Sequence, residues 1–266
     1  MIIDSILLFN EIDMLEFRLK LLWDKVQKFV IVESDHTFSG KPKPWNFRDN
    51  KERFTWAKDK IIYHQFKARN VWDGSNPPSA TDASHPCWQN EYDQRNSIID
   101  ACISFSNDDT LLISDCDEIP SHSVFDRLKS LMRWEPVALR QHFFYYNLSC
   151  LRRERWNGTI VTTVGTARRQ TPQGLRNQRN ALQSVPDGGW HLSYFTDTAG
   201  IQEKLHSFSH IEYDTPEFNN EQHIRDCIAE RKDLFVRGMQ ADKTGRDFFP
   251  PYFLKQSDNF NWWSET

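Results

Sequence analysis

The 266-residue sequence predicts an α/β fold: a central mixed, mostly parallel sheet flanked by helices. Two observations predict it. Residues 2–32 run as an apolar segment, an amphipathic segment and a second apolar segment, which is the signature of a βαβ unit. The apolar segments of the first half also break off at polar or acidic residues, at Asn10-Glu11, Glu33-Ser34 and Asp115 to Glu118. In an open α/β sheet such strand ends gather at one edge, where ligands bind.

Ile2 to Phe9 is apolar except for Asp4 and Ser5, as a strand buried on both faces would be. Ile12, Leu15, Leu19, Leu22 and Val26 then recur every three or four residues, with charged residues between them, so a helix follows. Phe29 to Val32 and Ile61 to Tyr63 are the next short strands. Residues Asp73 to Pro86, with three Pro, read as a long loop. Glu91 to Phe105 reads as a second amphipathic helix, and Leu111 to Ile113 as a strand delivering Asp115-Cys116-Asp117-Glu118.

In the second half, Val137 to Leu148 and Thr159 to Thr166 read as strands. Arg168 to Arg179, with four Arg, reads as a basic loop. Asp187-Gly188-Gly189 makes a turn into Trp190-His191 and a strand at Leu192 to Phe195. Gly200 to Phe208 and Asn219 to Phe235 read as helices, and the aromatic tail from Phe248 to Trp263 as a segment packing back on the body. The whole is expected to be one domain, with residues 1–120 as its first half and 121–266 as its second, including the C-terminal helices and tail.

Composition narrows the function. A net charge of −4 gives no field for nucleic acid. The five Cys form no CxxC pair, which argues against a zinc or disulfide framework. No apolar run reaches the roughly 18–20 residues of a membrane span, and the N-terminus lacks the basic region of a signal peptide, so a cytoplasmic protein is expected. An aromatic content of 14%, with ten Trp, suits surfaces that stack on sugar rings. Trp45, Trp72, Trp156 and Trp190 are the candidates, and Trp190 stands out because it adjoins His191.

Two carboxylates spaced i and i+2 after a buried strand suit a divalent cation. Manganese or magnesium takes oxygen ligands and keeps positions open for phosphate oxygens. Asp117 is the expected direct ligand, with Asp115 supporting the metal or reaching a ribose. His191, held after a Gly-Gly-Trp turn, is a further expected ligand. The bland alternatives are a solvated turn before Pro120 and a packed histidine.

These residues resemble one family. LLFNEIDMLEFRLKLLWDKVQKFVIVESDHTFSGKPKP, WQNEYDQRN, SDCDEIP and GGWHLSYF followed by KLHSFSHIE stand in the order found in glycosyltransferase family 17, from about residue 5 to about residue 214. The resemblance implies a GT-A type fold, with residues 1–120 as the nucleotide-sugar-binding half and 121–266 as the acceptor-binding half, and inverting transfer of a sugar, expected to be N-acetylglucosamine from UDP-GlcNAc, to a glycan or other hydroxyl acceptor. It implies Asp115, Asp117 and His191 at the metal, and Asn10, Glu11, Glu33, Arg95, Asp115, Trp190 and Lys204 at the donor. A general base is needed, and Asp187 is the first candidate, with Glu118 and Glu154 as rivals. The animal members carry a Golgi membrane anchor and no such segment is read in this sequence, so a soluble bacterial or viral member is expected. A metal-dependent nucleotidyltransferase or phosphohydrolase, and a non-catalytic glycan-binding protein of the same fold, remain as alternatives.

Overall fold

Strand β1 (Ile2–Leu8) is buried along its length because its two faces meet different cores. Ile6 and Leu8 pack with helix α1 (Ile12–Leu22) on one side, while Ile3 and Leu7 pack on the other. The computed structural model describes residues 1–69, 84–131 and 135–263. Within them β2 (Lys28–Ser34), β3 (Ile61–Phe66) and β4 (Thr110–Asp115) join β1 in the parallel order β3-β2-β1-β4. The register sets Leu8 beside Glu33 and Leu7 beside Asp115. The three strand ends therefore converge on one edge, as the sequence pattern predicts.

The second half extends the same sheet. β7 (Cys150–Thr163) runs antiparallel to β4 and to β6 (Val137–Tyr145). β9 (Gly189–Ser193) lies parallel to β6, and the short β5 (Glu118–Pro120) pairs antiparallel with β9. β8 (Gln183–Val185) pairs with β6, and β10 (Ala241–Lys243) with β7. The result is a mixed ten-stranded sheet with helices on both faces, as expected.

Several boundaries differ from the sequence reading, each for a local reason. The second helix starts earlier, as α3 (Pro86–Asn96), because His85 Nδ1 accepts the Cys87 N–H and Pro86 takes the first turn, where no N–H is needed. It breaks at Ser97, and α4 (Ile98–Ala101) is a separate turn. Except for its last residues, the loop expected over 73–86 lies outside the described residues, as does Trp72. β7 stops at Thr163, whose hydroxyl caps α6 (Val164–Gln170). The basic loop is in fact α6 followed by α7 (Pro172–Asn177), with Thr171 Oγ1 capping Gly174. Helix α5 (His122–Leu131) has no counterpart in the sequence reading. Helices α8 (Thr198–Ser207) and α9 (Glu221–Glu230) cover a third aromatic core, and α10 (Pro251–Ser257) folds the tail back against Phe17.

Helix α9 ends five residues before the expected Phe235 because Arg231 turns left-handed at φ 54°. A residue with a Cβ is disfavoured there by roughly 1–2 kcal/mol, whereas glycine is not. Arg231→Gly is expected to stabilise the fold by about 0.5–1 kcal/mol, after the larger unfolded-state entropy of glycine is deducted. Urea denaturation checks it, and a destabilised variant would mean that the Arg231 side chain makes a compensating contact.

Candidate active site

Arg18 is the foundation of the site. It falls on the apolar face of α1, yet its guanidinium is buried in a two-pronged pair with Asp4 of β1, at 2.7 and 2.6 Å. Its remaining nitrogen donates to the carbonyls of Asp115 (3.1 Å), Cys116 (3.4 Å) and Glu118 (2.6 Å). One buried side chain thus fixes the backbone of the whole acidic turn. Leu192 N–H donates to Asp117 O at 2.9 Å from the other side. Gly189 (φ 132°) lets β9 come this close, since a Cβ there would stand 2.0 Å from Ile119 O.

The three acidic side chains of the turn then part company. Glu118 is fully buried, accepts from Arg176 and from Trp156 Nε1 (2.6 Å), and is structural. Asp115 gives one oxygen to Arg95 (2.8 Å) and the other to Arg176 (2.7 Å). Burial would raise its carboxyl, but Arg176 and Arg95 hold it well below the usual range. Asp117 meets Lys204 at 3.3 Å and His191 Nε2 at 3.5 Å. Burial again opposes its charge, and Lys204 and His191 overcome that, holding it at about 2. His191 is itself fixed by a stack on Phe143 at 4.6 Å and by Trp156 at 4.8 Å.

These groups line a cavity of about 580 Å³ over the strand ends. Phe9, His36, Phe38 and Trp88 line it near β1 and β2, while Phe143, Tyr145, Trp156 and Tyr194 line it over the second half. Its cations are Lys43, Arg95, Arg176, Arg179, Lys204 and Arg237. Five are paired with carboxylates. Arg179 has no carboxylate within ion-pair distance among the described residues. It lies 4.9 Å from the Trp156 ring, and burial and Arg176 lower its pKa. Glu11 lines this cavity and a second one of about 460 Å³. Burial and the charge of Asp117 raise the Glu11 carboxyl against the pull of Lys204.

Of the residues singled out from sequence, Glu11, Arg95, Asp115, Asp117, His191 and Lys204 come together here. Asn10 borders the second cavity and donates to Glu203. Three do not reach the cavity. Glu33 is fully buried beneath it and accepts from Lys43, the N–H groups of Asn46 and Phe47 that open α2 (Asn46–Asp49), and Tyr63. Trp190 alternates with His191 along β9, so it points to the opposite face and packs on Phe253. Asp187 is 83% exposed and lies 3.6 Å from the imidazole of His142. Of its rivals, Glu118 is spent on Arg176, and Glu154 sits beside Arg152 outside the cavity lining.

A metal fits only part of the expected set. Among the described residues no three His, Cys, Asp or Glu gather as a ligand group. Asp117 and His191 form a carboxylate–imidazole pair of the kind manganese accepts, with donor oxygens and water left to complete the shell. Asp115, with both oxygens on arginines, is not free to join them. Sequence reasoning missed Arg18, Glu91 and Phe143; Trp156, one of its four candidates for sugar stacking, does line the cavity, and Arg176 and Arg179 were read only as part of a basic loop. The signal for Arg18 was there: an arginine on an apolar helix face beside a buried-strand aspartate.

Residues 1–241 match the model of Glycosyltransferase family 17. The β-1,4-mannosyl-glycoprotein 4-β-N-acetylglucosaminyltransferases of Rattus norvegicus and Homo sapiens are each 25% identical to the chain over 307 aligned residues, covering 98% of it and 54% of the relative. The chain therefore spans about half the length of the curated relatives it matches. Among solved structures, HddC from Yersinia pseudotuberculosis has a TM-score of 0.40 at 10% identity, covering 73% of this chain and 91% of its own. The inositol-1-phosphate CTP transferase from T. maritima has a TM-score of 0.39 at 11% identity, covering 70% and 85%. Likenesses at that level carry no argument about the site. No helix among the described residues is long and apolar enough to cross a membrane.

Proposed function

The chain belongs to glycosyltransferase family 17, and from that premise we propose that it transfers N-acetylglucosamine, with inversion, from UDP-GlcNAc to a hydroxyl of a glycan acceptor. The observation that carries this reading is the cavity in which cations stand over a rigid acidic turn. A diphosphate leaving group needs positive charge where its own charge develops. Lys204 and Arg179 are suited to supply it, Lys204 as a point charge and Arg179 as a planar fork. Arg95 and Arg176 have another task, since they neutralise Asp115 and keep that carboxylate from repelling the donor.

Asp117 and His191 would hold a manganese or magnesium ion, whose chemistry is to neutralise the diphosphate as the sugar bond breaks. The nucleoside is assigned to the end of the cavity at Phe9, His36 and Phe38, and the sugar to the end at Phe143 and Trp156. The aromatic rings there suit a sugar's apolar face.

Calorimetry with UDP-GlcNAc, with and without manganese, tests the reading. Binding that needs the metal is the expected result, and no binding in either condition would sink it. Arg179→Ala is expected to weaken UDP-GlcNAc binding by roughly 10- to 100-fold, the value of a charged hydrogen bond. The thermal midpoint should hardly move, because Arg179 has no carboxylate partner among the described residues to strand.

A further inference from the structure

We propose that Glu11 is the general base, the carboxylate that takes the proton from the attacking hydroxyl. This inference rests on the glycosyl-transfer reading above. Four carboxylates line the main cavity: Glu11, Glu91, Asp115 and Asp117. Three are committed. Glu91 is divided between Arg95 and the Ser209 hydroxyl, Asp115 between two arginines, and Asp117 between Lys204 and His191.

Glu11 differs from all three. Its Oε2 accepts the N–H groups of Phe9 (3.1 Å) and Asn10 (3.2 Å), which fix the carboxylate on the loop after β1. Its Oε1 has no hydrogen-bond partner among the described residues. The side chain stands where the two cavities meet, in a wall they share with Asp117, Tyr194 and Lys204. The donor would lie on one side of that wall. The second cavity, about 460 Å³, leaves room for an acceptor on the other. A base must lie within reach of both the hydroxyl and the reacting carbon, and a free oxygen at the junction meets that need.

The step balances without a co-reactant. The acceptor O–H proton passes to Glu11 Oε1, and the acceptor oxygen forms its bond to the anomeric carbon. The bond from that carbon to the diphosphate oxygen breaks, and its electron pair leaves with UDP. Glu11 thereby takes the role that the sequence reading gave to Asp187.

Glu11→Gln keeps the shape and the oxygen that accepts from Phe9 and Asn10, but it cannot take up the proton. UDP-GlcNAc affinity is read by calorimetry, and turnover by UDP release with water as the acceptor. The expected result is a donor Kd within about twofold of wild type and UDP release slowed by at least about 100-fold. Unchanged UDP release with intact donor binding would overturn Glu11 as base and leave the donor reading standing. Parallel loss of binding and turnover would overturn it too, by making Glu11 a donor contact. A wild-type protein that binds no UDP-GlcNAc would take down both readings.

Discussion

Replacing Arg18 with methionine is expected to cost about 3–5 kcal/mol of stability, the range for breaking a buried ion pair by removing one partner. Asp4 is fully buried on β1 and has no cationic partner besides Arg18 among the described residues, so the variant strands a charge inside the sheet. The variant also frees the carbonyls of Asp115, Cys116 and Glu118, which hold the acidic turn in place. The two effects are separable. Adding Asp4→Leu removes the stranded charge, and a well-packed apolar pair in place of an ion pair is often neutral or better. The double variant is therefore expected to recover most of the lost stability in urea denaturation, yet to keep a loosened turn and weak UDP-GlcNAc binding. Full recovery of donor binding in the double variant would show that Arg18 supports only the core. Near-native stability of Arg18→Met alone would contradict the buried pair itself.

The fold was legible in the first half because its signals are local and periodic. β1, α1 and β2 announce themselves by continuous apolar strands and a 3.6-residue repeat, and the register brings their ends together as the α/β pattern requires. The basic segment was misread for a physical reason. Pro172 looks like a breaker, but after a capping threonine it opens a helix, and Thr171 caps Gly174. That helix is what carries Arg176 down to Asp115 and Glu118. The site was legible to the extent that chemistry follows residue type. Asp117, His191 and Lys204 meet across about 75–90 residues of chain because β5 pairs with β9 and α8 follows. Glu33 and Trp190 fall outside the cavity lining because sequence gives a residue's place along a strand more readily than the face it points to. A one-residue change of parity sends Trp190 to Phe253 and His191 to the cavity.

On the proposed reading, Asp117→Asn should abolish metal-dependent UDP-GlcNAc binding and lower turnover by at least about a thousandfold. Removing one group aimed at developing charge typically costs 10²–10³ in rate, and here the same change also removes the carboxylate of the metal pair. The amide keeps the volume and leaves the Asp117 carbonyl to accept from Leu192 N–H, so the turn should stay folded. Asp115→Asn makes the contrast. It withdraws one counter-charge each from Arg95 and Arg176, which keep only Glu91 and Glu118, and leaves two guanidiniums short of negative charge in one buried site. Its first effect should be on stability, read as a larger fall in the urea midpoint than the Asp117 variant shows, because Lys204 is partly exposed to water whereas Arg95 and Arg176 are buried. Calorimetry and UDP release, measured beside urea unfolding, separate the two carboxylates. Normal turnover in Asp117→Asn would reduce the acidic turn to a structural bend. An Asp115 variant of native stability would remove the arginine clamp from the account and return Asp115 to the donor.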